Sequence, residues 1–150
     1  MVAGGIDNQA NSLNATVLGG DYNQIHGNTA GVIVGGESNR LLDGTAATIA
    51  GGTTNRADGV YSFVGGGVGN LAEGFAATCA GGVSNVAAFT GCVVGGGHNV
   101  AGNAQGIFAP TVTGGEFNSA MGPAATVGGG LTRQANGPHD WAAGSLFEDN

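Results

Sequence analysis

Lysine does not occur in this sequence. Its only cations are Arg40, Arg56 and Arg133, set against ten aspartates and glutamates for a formal net charge of −7. That balance excludes a nucleic-acid binder that works by neutralising phosphates, which needs clustered Lys and Arg. Charged residues make up 9 % of the chain and aromatics 6 %, both low for a globular protein. No apolar run approaches the roughly 18–20 residues of a membrane helix, so membrane insertion is not expected. Met1 is not followed by a basic and then apolar stretch, so no secretion signal is expected either. Three prolines among 41 % hydrophobic residues argue against a disordered chain.

What is abundant is glycine, with 33 residues in 150 against a usual share of about 7 %. A Gly-Gly pair recurs at Gly4, Gly19, Gly35, Gly51, Gly65, Gly81, Gly95, Gly114 and Gly129, in steps of 15, 16, 16, 14, 16, 14, 19 and 15 residues. Two residues before each pair stand Val2, Val17, Ile33, Ile49, Phe63, Cys79, Val93, Val112 and Val127. Shortly after each pair comes Asn8, Asn23, Asn39, Asn55, Asn70, Asn85, Asn99 or Asn118, with Arg133 in the last pass. Two residues further on lie Ala10, Ile25, Leu41, Ala57, Ala72, Ala87, Ala101, Ala120 and Ala135.

The period selects the architecture. Paired-helix repeats need about 33 residues or more, and two glycines per pass would cost a helix about 1 kcal/mol each. Collagen would place glycine at every third position. About 15 residues suffice for two short strands and two tight turns, which predicts an all-β parallel β-solenoid of about nine coils of 14–19 residues over 1–136. The strands are expected to be four or five residues long, with the glycines supplying positive φ or close approach at a corner. Nine coils at the strand spacing make a rod about 43 Å long. One Asn per coil at a fixed turn position lies about 4.8 Å from the next, close enough for the amides to bond in a structural ladder; a ligand-binding row is the alternative.

The strand face two and four residues before each pair is predicted to point inward, including Tyr61 and Gly91 beside Ala15, Ala47, Ala77 and Ala125. The other face, with Ala3, Leu18, Val34, Ala50, Val64, Ala80 and Val94, is also largely apolar. Strands apolar on both faces are buried on both. A two-stranded roll covers one face alone, so copies of the chain are expected to cover the other, most simply as a homotrimer. The pattern is already in register at Val2-Ala3-Gly4-Gly5. The N-terminal end is therefore expected to stack on, or insert into, another structure.

Stretches such as Arg56-Ala57-Asp58-Gly59-Val60-Tyr61-Ser62-Phe63-Val64-Gly65-Gly66 and Asn70-Leu71-Ala72-Glu73-Gly74-Phe75-Ala76-Ala77-Thr78-Cys79-Ala80-Gly81-Gly82 resemble the head repeats of trimeric autotransporter adhesins. They are also similar to Gly-Gly-x-x-Asn repeats of bacteriophage fibres and other virion surface proteins. The resemblance implies a left-handed β-roll, trimerised along its axis and used to bind surfaces. With no heptad stalk or membrane-barrel segment, and with repeats longer than the adhesins' usual fourteen residues, the chain departs from that family. The departures point to a virion part made in the host cytoplasm: a phage fibre, spike or knob with an adhesive role. A capsid decoration or cement protein is the alternative, with a polysaccharide-degrading tail spike third and a bacterial cell surface the alternative location. Expected partners are further copies, other virion proteins and a host surface glycan or protein.

No residue set points to catalysis, a cofactor or a metal. His26, His98 and His139 share no register, and the aspartates lack the fixed offset of calcium-binding repeats. Glu37, Asp43, Asp58, Glu73 and Glu116 could supply a glycosidase pair, but no two are marked as partners. Cys92 falls three before its glycine pair and is expected to face opposite to Cys79, leaving free thiols or an intermolecular bridge through Cys92. The long step at 102–110, with Phe108, reads as a plain loop or a binding bulge. The tail 137–150, with Trp141 and Phe147, is expected to cap the last coil or to dock a partner.

Overall fold

The computed structural model describes residues 1–102 and 109–144. Among these there is no helix; eighteen short strands form two nine-stranded sheets, every pairing parallel. The chain alternates between the sheets, so each strand pairs with the strand two places along the sequence. This is a β-solenoid of about nine turns. We call the sheet running from Thr16–Val17 to Trp141–Ala142 the valine sheet, and the one from Gln9–Ala10 to Gln134–Ala135 the alanine sheet. Most strands are two residues long rather than four or five, because the corners take up the rest of each coil.

The core is the slot between the sheets. Val17, Ile33, Ile49, Val64, Cys79, Val94, Val112 and Val127 fill it from one side, facing Ile25, Leu41, Ala57, Ala72, Ala87, Ala101 and Ala120 from the other; all are fully buried. Small residues compensate for large ones: a Cβ on Gly31 would lie 2.9 Å from Leu41 Cδ1. Among the described residues no aromatic is fully buried in the slot, and only Phe89 packs against its edge. Tyr22, Tyr61, Phe63, Phe75, Phe117 and Trp141 are all exposed and Phe89 is partly so.

Two coils are registered differently from the expectation. Phe63 and Val93 are 39 % and 37 % exposed, while Val64 and Val94 are buried. Their passes contain glycine triplets, and the corner is formed by the second and third members, Gly66-Gly67 and Gly96-Gly97. The Nδ2 groups of Asn70 and Asn99 accordingly bond the carbonyls of Gly66 and Gly96. A slip of one residue turns a strand over. Ser62 and Cys92 therefore point inward in place of Tyr61 and Gly91, and Tyr61 is 58 % exposed.

From Gly5 to Gly115 the second glycine of the corner is required twice over. Gly36 has φ +91°, and a Cβ there would stand 2.1 Å from the Gly52 carbonyl oxygen of the next coil. The first glycine, such as Gly35, has nothing within 4 Å of its missing Cβ. At the opposite, far corner the turn is closed by bonds such as Ser62 N–H to Gly59 O and Ala77 N–H to Gly74 O. Ala30, Ala46, Tyr61 and Ala76 there have φ near +55°, the left-handed well that an L-residue reaches at a cost of about 1–2 kcal/mol. The reversed peptide sends each N–H to the preceding coil, as in Ala46 to Thr29 O and Ala76 to Val60 O, whereas strand N–H groups go to the following coil.

Candidate functional site

Three features of the solenoid could carry function: the asparagine row, the outer face of the valine sheet, and the irregular coils. The asparagines lie inside the glycine corner, where all but Asn8 are buried. Asn39 shows the pattern. Its backbone N–H donates to Asn23 Oδ1 at 3.0 Å, and its Nδ2 donates to Gly35 O at 3.1 Å and Gly52 O at 2.8 Å. The same N–H to Oδ1 bond, between 2.7 and 3.0 Å, links Asn8, Asn23, Asn39, Asn55, Asn70, Asn85, Asn99 and Asn118, and ends on the Arg133 N–H. Each amide thus ties its own coil to both neighbours. Every polar atom of the buried amides is engaged within the chain, which leaves the row nothing to offer a ligand.

The two outer faces differ in chemistry. Outward columns on the valine sheet run Thr16, Val32, Thr48, Phe63, Thr78, Val93, Thr111, Thr126, Trp141 and, beside it, Leu18, Val34, Ala50, Gly65, Ala80, Gly95, Thr113, Gly128. Neither column holds a charge. The alanine sheet carries Arg40, Arg56, Asp58 and Glu73, with an ion pair between Arg56 and Asp58. Trp141 stands in the valine-sheet column at 72 % exposure, with Trp141 pairing to Thr126 and Ala142 to Val127. The expected capping of the core by Trp141 is not what occurs, because the repeat continues to Ala142 and directs the indole outward. Phe108 and Phe147, named with it as partner contacts, lie outside the described residues.

The cysteines also need correction. Cys79 and Cys92 are both buried, free, and on the same inward face. Cys79 pairs with Val94, so the thiols sit one coil and two residues apart. Burial pushes the Cys79 thiol up to about 11, with Cys92 raising it further against the lowering effect of a backbone bond. Burial likewise raises Cys92. A bridge from Cys92 to another molecule is ruled out by its place in the chain's own core.

One irregularity escaped the sequence reading. Where other coils put two residues between the second glycine and the asparagine, as in Gly82-Val83-Ser84-Asn85, one coil has only His98 between Gly97 and Asn99. The result is a register shift between His98 and Val100 and a notch of about 450 Å³ lined by Val83, Gly97, His98, Gly115 and Glu116. The signal was present in the glycine-to-asparagine spacing, but counting from the first glycine of each triplet hides it. Among the described residues no three His, Cys, Asp or Glu side chains gather to hold a metal, and no helix is long and apolar enough to cross a membrane. No protein-family model and no curated protein matches the chain.

Proposed function

We propose that this chain is a non-enzymatic structural rod that packs against two further copies along its valine sheet and serves as a surface-binding fibre, spike or knob of a phage particle. The observation that carries the reading is the charge-free outer face of the valine sheet, which exposes Leu18, Val34, Phe63, Val93 and Trp141. Exposed apolar surface that is continuous along a rod marks an interaction site. In a chain of net charge −7, this is the long face on which copies can approach without bringing carboxylates together. A heterologous contact that closes into a ring buries the same strip on every copy. The placement on a virus particle is supported by the repeat resemblance.

Charge introduced into the strip tests the assembly. The double variant Ala50→Asp, Ala80→Asp is expected to run as a single copy in size-exclusion chromatography with light scattering, while Gln24→Glu on the alanine sheet leaves the mass unchanged. An unaltered mass for the double variant would remove the proposed interface. Antibodies to the rod are expected to label the outside of phage particles; labelling of the bacterial surface instead would move the protein to the alternative location.

A further inference from the structure

The notch at His98 differs from the rest of the glycine corner in what its missing residue takes away. In regular coils the left-handed residue before the asparagine returns its N–H to the coil below: Thr54 to Glu37 O, Gly69 to Thr53 O and Ser84 to Val68 O. The His98 coil lacks that residue, so the Val83 carbonyl has no such donor. Exposed Glu116, paired in register with His98, lines the same notch from the following coil. The one ion pair among the described residues is Arg56–Asp58, and no hydrogen bond engages the Glu116 carboxylate. Exposed Phe117 stands beside the notch, its ring 4.9 Å from that of His98 at 55°. A small notch with a few convergent polar groups is the form that binding sites take, and its volume falls in their range of about 300–1,000 Å³.

We infer that this notch binds the ammonium group of a lysine side chain belonging to a different protein. A carboxylate and an unpaired carbonyl are both acceptors, so the occupant must bring donors; a primary ammonium has three. An aromatic ring attracts the same cation through its face, and the stem of a lysine is apolar enough to lie along Phe117. The acidic field of the whole chain concentrates cations at its surface. The sequence contains no lysine, so a lysine side chain in the notch comes from another protein. The notch lies on the glycine corner and not on the valine-sheet face, so it goes beyond the assembly reading and does not depend on it.

The test is a titration of the isotopically labelled full-length protein with Nα-acetyl-lysine methylamide, followed by amide NMR shifts. Shifts at Val83, Gly97, His98 and Gly115 are expected, and the Nε-acetylated form of the same probe, which lacks the charge, is expected to leave them in place. Glu116→Gln is expected to weaken binding at least about threefold. A serine inserted between His98 and Asn99, which restores the regular corner length, is expected to abolish it. Equal shifts with the acetylated probe, or indifference to both changes in a variant whose other resonances are intact, would overturn the proposal. So would a response to glucosamine without one to the lysine probe, which would assign the notch to an amino sugar.

Discussion

The two corners of each coil perform the same turn by different means. At the glycine corner the backbone is pressed against the next coil, φ reaches +80° to +91° in Gly20, Gly36, Gly52, Gly82 and Gly97, and an inward asparagine bonds to both neighbours. At the far corner φ lies between about +52° and +65°, and asparagine, alanine, tyrosine, glycine or histidine occupies the reversed position. Both corners hold glycines that the next coil requires, since a Cβ on Gly59, Gly74 or Gly122 at the far corner would stand 1.9–2.0 Å from a carbonyl oxygen; they differ in the asparagine row, which belongs to the glycine corner, and in the second glycine that only that corner repeats. What varies at the far corner is its left-handed position, which holds Asn14, Ala46, Tyr61, Gly91 and His139 in different coils.

The sharpest way to break this contrast is Gly36→Ala. The new Cβ would meet the Gly52 oxygen at 2.1 Å, and strain plus overpacking should cost roughly 2–5 kcal/mol in denaturant unfolding at fixed protein concentration. Gly35→Ala, one residue away with open space around it, should stay within about 0.5 kcal/mol. Next in size is Asn55→Ala, which leaves the Gly51 carbonyl and the Asn70 N–H without their partner, while the Gly67 carbonyl keeps the Thr53 N–H. Unsatisfied buried groups of this kind cost about 1–3 kcal/mol each, so a loss of about 3 kcal/mol is expected. Exposed Thr45→Ala at the far corner should be nearly neutral.

Between the corners, the core thiols give a pH effect of known sign. Cys79 is raised from 9.0 to about 11 in the fold, so the folded state holds a proton that the unfolded chain releases. Its contribution is complete below pH 9 and is lost as pH rises toward 11, at up to about 1.4 kcal/mol per pH unit. Cys79→Val should flatten that part of the stability profile. The smallest change is favourable: Ala46→Gly relieves a left-handed alanine at φ +53° and should stabilise by about 0.5–1 kcal/mol. The same physics predicts a gain of similar size for Thr54→Gly, a left-handed residue at φ +55° just before Asn55, and denaturant unfolding of both variants checks it.

The coil period, the parallel β architecture and the inward Val/Ile and Ala columns were legible because each rests on local turn chemistry repeated nine times. The errors arose where repetition was ambiguous. Gly65-Gly66-Gly67 and Gly95-Gly96-Gly97 each contain two possible pairs, and only stacking on the next coil selects the second. Choosing the first turned Tyr61 inward and Cys92 outward, the reverse of what is found. The notch stayed hidden for the same reason, since the short Gly97–Asn99 spacing shows only when the corner is counted from its left-handed glycine. Outward Trp141 was missed because the tail has no glycine pair, although Ala142 still pairs with Val127.

A rod locked so firmly from coil to coil leaves the valine sheet as a flat, uncharged strip, which we propose is buried between copies. Sedimentation equilibrium of the unmodified protein tests it most directly. The expected mass is three times the 14.4 kDa of one chain, held across dilution; a single-chain mass at every concentration would contradict it.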